Sequence, residues 1–388
     1  MRKLFKPLIV STCCIIAVTM TSSRPASQPI KKTTVAPKIQ AAILLDVSNS
    51  MDGLIEQAKV QLWNMVSTMG KAQCDNNVSP TIEIALYEYG RPADDVKTGY
   101  IKQINKFTTD LDGVSKNLFA LTTNGGDEYC GHVIYSSLNE LNWDASASSY
   151  KVIFIAGNED FLQGDVTYTK ACAEAKSKGV IVNTIYCGPR AQGIAEHWNL
   201  NAECGDGSFT NINQDAKIDD IATPYDSVLF TLNDKLNSTY ISYGYAGAGA
   251  KAMQAEVDQL NTGKNKAAAA KRIGVKSNAK LYRNSGWDLV DRDADGLLDG
   301  EFFKTLDKKT LPDSLRNKTE EQIKQVVIVK QKERSAIQQE IQKVNTQRDE
   351  YIAAERKKNA TKVNENTLET EVEKMIKVQA KRYKMRID

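Results

Sequence analysis

The sequence predicts an α/β fold: a doubly wound, mainly parallel sheet of Rossmann-like type, followed by a C-terminal α-helical region. Three observations predict it. Short apolar runs without polar alternation recur between residues 39 and 187, as strands buried on both faces require. Segments with apolar residues at helical spacing separate these runs. From about residue 311 onward the chain becomes highly charged and keeps a helical period.

Taken in order, Arg2, Lys3 and Lys6 form a basic start, and residues 8–20 form an apolar run too short for a comfortable membrane span. Residues 1–25 therefore read as an export signal, which predicts a periplasmic or extracellular protein; a retained anchor is the other reading. Cys13 and Cys14 invite a lipoprotein reading, but Thr12 is a poor residue before a lipidated cysteine. Residues 26–38, rich in Ser, Thr, Pro and Lys, read as a tether.

The folded body is expected over residues 39–238. IQAAILLD at 39–46 is a continuous buried-strand run, and Leu54, Ala58, Leu62, Met65 and Met69 then recur at helical spacing. Residues 81–89 and 100–107 are strand candidates, with helices expected at 111–121 and 128–141. VIFIA at 152–156 and VIVNTIY at 180–186 are short strands, separated by a helix around 169–178 that Gly179 would cap. Such alternation implies a parallel sheet covered on both faces, with ligands bound at the carboxyl ends of its strands.

Residues 239–310 read as an irregular or helical connector containing an acidic turn, and GYAGAGA within it reads as a linker. That stretch lacks the Lys of a phosphate-binding loop and follows no convincing buried strand. Over 311–388, Ile323, Val327, Ile337, Ile341, Val344 and Tyr351 form one stripe, and Leu368, Val372, Met375 and Ile376 a second. The polar residues 359–366 between them predict a charged helical hairpin suited to self-association. Lys330, Arg334 and Arg348 interrupt the first stripe, which argues against a long coiled coil.

The chain has 388 residues, 41% of them hydrophobic and 26% charged, with a formal charge of +3. This is an ordinary globular balance, so neither nucleic acid nor a strongly acidic partner is indicated, and no span is expected once the signal is removed. Five cysteines follow the signal: Cys74, Cys130, Cys172, Cys187 and Cys204. They lack the CxxC spacing of zinc or thiol-redox sites, so two disulfides and one buried thiol are expected in an exported protein.

The chemistry concentrates in LLDVSNSMDG. Asp46, Ser48 and Ser50 leave the tip of the first strand within five residues, so one carboxylate and two hydroxyls can converge on a hard cation. A cation such as Mg²⁺ suits oxygen ligands of low total charge. The alternative is that Ser48 and Ser50 only cap the following helix. DxSxS between a buried strand and an amphipathic helix resembles the metal motif of von Willebrand factor A domains.

By that resemblance, Asp46, Ser48 and Ser50 would hold Mg²⁺, or Mn²⁺ or Ca²⁺ in its place. A second ligand, usually Thr, would follow a glycine pair, and here Asp127 stands there after Gly125 and Gly126, with Glu128 beside it. A third ligand, an Asp in the family, would come after the next central strand, where Asn158, Glu159 and Asp160 are the candidates and Asn158 stands first. The metal would keep a position open for a partner's carboxylate. GGDEYCG, FIAGNEDFLQG and SGWDLVD also resemble exported bacterial proteins in which an A domain precedes a charged helical tail.

Asp291, Asp293, Asp295 and Asp299, with Gly296, match the front of a calcium-binding loop, although Phe302 stands where its bidentate Glu belongs. A solvated acidic turn is the competing reading. Catalysis has little support, since His132 and His197 are the only histidines and no nucleophile elbow or HExxH occurs.

Three functions therefore stand in order. The first is a metal-dependent protein-binding module for adhesion or envelope scaffolding, and not an enzyme. The second is a structural or assembly protein with a degenerate metal site. The third is a metal-assisted hydrolase using Asp46, Asp127 and Glu159.

Overall fold

The computed structural model describes residues 37–74, 78–213, 221–359 and 368–387, and from Ala36 on the chain forms one compact unit. The expected signal and most of the tether lie outside the described residues. Strand β1 (Lys38–Asp46) is buried along almost its whole length and leads through a short 3-10 turn into helix α1 (Asp52–Gly70). A two-residue strand, β2 (Gln73–Cys74), precedes β3 (Thr81–Tyr89) and β4 (Ile101–Thr108). Then come α2 (Leu111–Ala120), α3 (Cys130–Glu140), β5 (Tyr150–Gly157), α4 (Tyr168–Lys178) and β6 (Ile181–Cys187). Gly179 caps α4 in the left-handed conformation, as its position after the last helical residue predicts. Short helices α5 (Arg190–Ala195) and α6 (Trp198–Cys204) precede the edge strand β7 (Phe209–Ile212).

The six-stranded sheet has the order β4-β3-β1-β5-β6-β7, and every pairing in it is parallel except that of β3 with β4. Because side chains alternate along β1, its residues feed two cores. Ile39, Ala41, Ile43 and Leu45 join α1 and α2 on one face, while Ala42 and Leu44 join α3, α4 and Trp198 on the other. The chain runs from β1 outward to β3 and later returns to β5 on the opposite side of β1. That reversal opens a crevice at the carboxyl ends of β1 and β5.

The region after the sheet is more ordered than its composition suggests. Helix α7 (Asp226–Asn237) is followed by α8 (Gly247–Lys264) and α9 (Lys266–Lys276), so GYAGAGA enters a helix and is not a linker. Helices α8 and α9 pack on α2 and α1 as a second layer. Arg272 of α9 is buried there, pairing with Asp112 of α2 at 2.5 Å and with Asp258 of α8 at 2.6 Å.

Three short helices follow: α10 (Leu289–Ala294), α11 (Gly300–Thr305) and α12 (Asp313–Arg316). The chain then enters α13 (Glu320–Asn359), and α14 (Leu368–Ala380) precedes the short strand β8 (Met385–Arg386), which pairs with β2.

The two helices of the expected hairpin pack on different parts of the body. Helix α13 packs on α7, α9 and α10, whereas α14 packs on α1. Ile323, Val327, Ile341, Val344, Val372, Met375 and Ile376 are all buried in the body, so most of both stripes is used inside this chain. Two disulfides among five cysteines are also ruled out. Cys130 and Cys187 are buried thiols on opposite faces of the sheet, which leaves three cysteines and at most one bridge.

Candidate metal centre

The crevice collects the motif. Asp46 ends β1 opposite Tyr89 of β3, and the backbone N–H of Val47 donates to the Tyr89 carbonyl at 3.0 Å, which holds the strand tip in register. The turn beyond it lets the Ser48 N–H donate to Asp46 Oδ1 at 2.7 Å. Asp46 Oδ2 is buried and has no hydrogen-bond partner. The Ser48 and Ser50 hydroxyls lie 3.4 Å apart, and Ser50 Oγ lies 3.3 Å from Asn158 Oδ1, in the loop after β5. Three segments expected from the sequence to supply ligands therefore converge: the β1 tip, the loop before α3 and the loop after β5.

The loop before α3 reaches the site because the Asn124 N–H donates to the Val47 carbonyl at 2.7 Å. Two glycines let it approach. A Cβ on Gly126 would sit 2.4 Å from the Gly90 carbonyl oxygen, and Gly90 itself holds φ +85° with Asp46 Oδ1 at 3.0 Å from where its Cβ would be. Packed this closely, the loop turns Glu128 inward and leaves Asp127 exposed. Of the two acids after the glycine pair, Glu128, hydrogen-bonded to the Ser48 side chain, is the carboxylate the structure places beside Asp46. The neighbouring residue Glu128 was visible in the sequence; its inward turn was not, because it depends on the contact between Gly126 and Gly90.

The electrostatics reflect this crowding. Burial is the main reason the Asp46 carboxyl rises to about 7, with the Glu159 charge adding to it and hydrogen bonds from Ser48 opposing it. Burial likewise pushes Glu128 up to about 8, reinforced by Asp46 and then Glu159. Glu159 is exposed, and its backbone carbonyl accepts from Trp198 Nε1 at 2.8 Å. Asp160 pairs with His197 at 3.1 Å and so is turned away from the ligand set.

An orphaned, buried carboxylate oxygen beside two hydroxyls, an amide oxygen and a second carboxylate fits a hard divalent cation. Asp46, Ser48, Ser50, Asn158 and Glu128 would hold it. A cation there would supply positive charge to two carboxyls that burial otherwise keeps protonated, and would offer a coordination position to an incoming oxygen or nitrogen donor.

The acidic turn has no comparable arrangement. Residues 289–294 are helical, so the chain does not wrap an ion there. Asp291 pairs with the buried Arg334 at 2.7 Å, together with Asp288. Asp295 pairs with Arg283 at 2.6 Å, Asp299 caps α11 by accepting from the Phe302 N–H, and Asp293 lies within α10. The calcium expectation is corrected on this ground: the carboxylates serve an ion pair, a cap and a helix, not one centre.

The doubly wound sheet of this strand order carries DxSxS at the tip of its central first strand, the arrangement that the resemblance to von Willebrand A domains implies. Among solved structures, the chain is similar to an aerotolerance-related membrane protein from Bacteroides fragilis, at 15% identity and a TM-score of 0.32, over 45% of this chain and 92% of that one. It is similar to the SpRpn10 VWA domain at 14% identity and a TM-score of 0.34, over 45% and 88% of the two chains. It is also similar to proximal thread matrix protein 1 from the mussel byssus, with a zinc-occupied MIDAS motif, at 12% identity and a TM-score of 0.34, over 45% and 42%. No protein-family model matches the sequence, and no curated protein matches it.

Proposed function

We propose that this chain is a metal-dependent protein-binding module, exported to serve adhesion or as an envelope scaffold. The observation that carries the reading is Asp46, whose Oδ2 is buried without a partner beside the Ser48 and Ser50 hydroxyls. A protein seldom leaves such an oxygen unpaired unless something outside the chain completes it. Binding is preferred to hydrolysis because neither histidine joins the ligand set: His197 is taken by Asp160, and the His132 ring packs against Gly99. Among the described residues no helix is long and apolar enough to cross a membrane.

Calorimetric titration of the chelator-treated protein with Mg²⁺, Mn²⁺ and Ca²⁺ tests this reading and identifies the ion. Saturable binding to the parent chain, lost in Asp46→Ala and kept in Asp293→Ala, is the expected result. Equal binding by all three proteins, or none by the parent, would refute the metal reading.

A further inference from the structure

The loop that carries Glu128 also carries a reactive dipeptide. Asn124 is followed by Gly125, and no other Asn in the chain is followed by Gly. An Asn side-chain amide carbon lies within reach of the next residue's backbone nitrogen, and only a glycine leaves that nitrogen without a β-carbon beside it. A helix or strand blocks the attack, because its ladder holds the backbone and engages the N–H. Residues 121–129 lie outside any helix or strand, and Asn124 is exposed. Among the described residues, neither the Asn124 side-chain amide nor the Gly125 N–H has a hydrogen-bond partner.

The reaction balances with water alone. The Gly125 nitrogen bonds to Asn124 Cγ, and its proton leaves with the side-chain nitrogen as ammonia, giving a five-membered imide ring. Water then opens the ring on either side. Opening at Cγ gives Asp in an ordinary backbone. Opening at the main-chain carbonyl gives isoaspartate, in which the chain runs through Cβ and Cγ and is one methylene longer.

Two contacts make that extra methylene matter. Just before the dipeptide, the Asn124 N–H anchors the loop to the Val47 carbonyl at 2.7 Å, between Asp46 and Ser48. Just after it, Gly126 passes Gly90 so closely that a Cβ there would stand 2.4 Å from the Gly90 carbonyl oxygen. A main chain lengthened between these two fixed points cannot keep both, and Glu128, two residues further on, is placed by them.

We propose that Asn124–Gly125 is a self-modification site, at which conversion of Asn124 to isoaspartate releases the loop from the β1 tip and withdraws Glu128 from the cation. The consequence for the cation rests on the metal reading; the modification and the release of the loop do not.

The test ages the purified chain at mildly alkaline pH beside a synthetic peptide of residues 119–129, which reports the unrestrained rate. Peptide mapping should place the amide-to-acid mass gain at Asn124 before any other Asn, with isoaspartate, detected by enzymatic carboxyl methylation, as the main product. Gly125→Ala should slow conversion at least about tenfold, because a β-carbon then flanks the attacking nitrogen. That Cβ would meet only the far end of the exposed Asn49 side chain, at 2.9 Å, so the variant keeps the loop. In the aged parent, hydrogen exchange over residues 121–129 should quicken and Mg²⁺ affinity should fall about tenfold or more, while aged Asn124→Gln keeps both. An unconverted chain beside a converted peptide, or conversion that leaves the loop's exchange or a Mg²⁺-binding parent's affinity unchanged, would overturn the proposal. A fresh chain that binds no Mg²⁺, yet converts at Asn124 and loosens there, would remove the metal reading and keep the modification site.

Discussion

Asp46 and Glu128 are held in a state that a cation would relieve. Their carboxyls rise to about 7 and about 8 because burial penalises the charged forms, with the Glu159 charge adding to the rise at Asp46 and the Asp46 and Glu159 charges adding to it at Glu128. Unfolded, both would titrate near 4. Between about pH 4 and pH 8 the folded chain without a cation thus binds more protons at these groups than the unfolded chain does. Unfolding then releases protons, so stability falls as pH rises through that window. A divalent cation needs the ionised carboxylates, so its stabilising effect grows over the same interval. Thermal unfolding of the chelated chain should show Tm falling from roughly pH 5 to pH 8, with the increment from Mg²⁺ widening. A Tm increment independent of pH would contradict this account of the two carboxyls. Asp46→Asn, which keeps the shape and removes the charge, should flatten much of the chelated protein's slope.

At the scale of elements, α13 explains why part of the chain was legible from sequence and part was not. The strand run, the DxSxS tip and the helix after it were legible because each depends on neighbours in sequence. The interruptions in the α13 stripe were not. Arg334 lies 4% exposed, donating to Asp288 and Asp291 at 2.7 Å and to Thr239 Oγ1 at 2.9 Å, and Arg348 reaches Asp226 at 2.8 Å. These arginines fasten the helix, and Asp291, the first carboxylate of the stretch that resembled a calcium loop, is a partner of Arg334, 43 residues away. Sequence supplies the charges without the contact between them. Replacing Arg334 by Met would leave Asp288 and Asp291 facing each other in a buried site, and should cost roughly 3–5 kcal/mol. Urea unfolding measures it as a lower midpoint at unchanged slope, and a midpoint equal to the parent's would mean that the pair does not fasten α13. GYAGAGA was misread for a related reason: small residues suit a linker, but they also suit a helix start that lies against its neighbours, as at Gly247, whose Cβ would stand 3.4 Å from Ser242 Cβ.

For the whole molecule the decisive contact is made by the end of the chain. Helix α14 lies on α1 and sends Val372, Met375, Ile376 and Ala380 into the same core that β1 begins. Its Gln379 is fully buried, accepting from the Tyr150 hydroxyl at 2.8 Å and exchanging hydrogen bonds with Asn183, so it bridges β5 and β6 from below the sheet. Strand β8 then pairs with β2 directly after α1. A tail that projected for assembly would be removable without harm, whereas this one contributes side chains to the sheet core. Burial of Val372, Met375 and Ile376 contributes about 1.5–3 kcal/mol each, against a total stability on the order of 5–15 kcal/mol for a domain. Deleting residues 320–388 should therefore yield protein that lacks a cooperative thermal transition and precipitates, whereas deleting only 320–359 and reconnecting the ends should spare the sheet core but expose the faces of α7, α9 and α10. A truncated chain that keeps the parent's Tm and Mg²⁺ binding would show that the sheet and its helices fold alone, and would return the tail to a role in assembly.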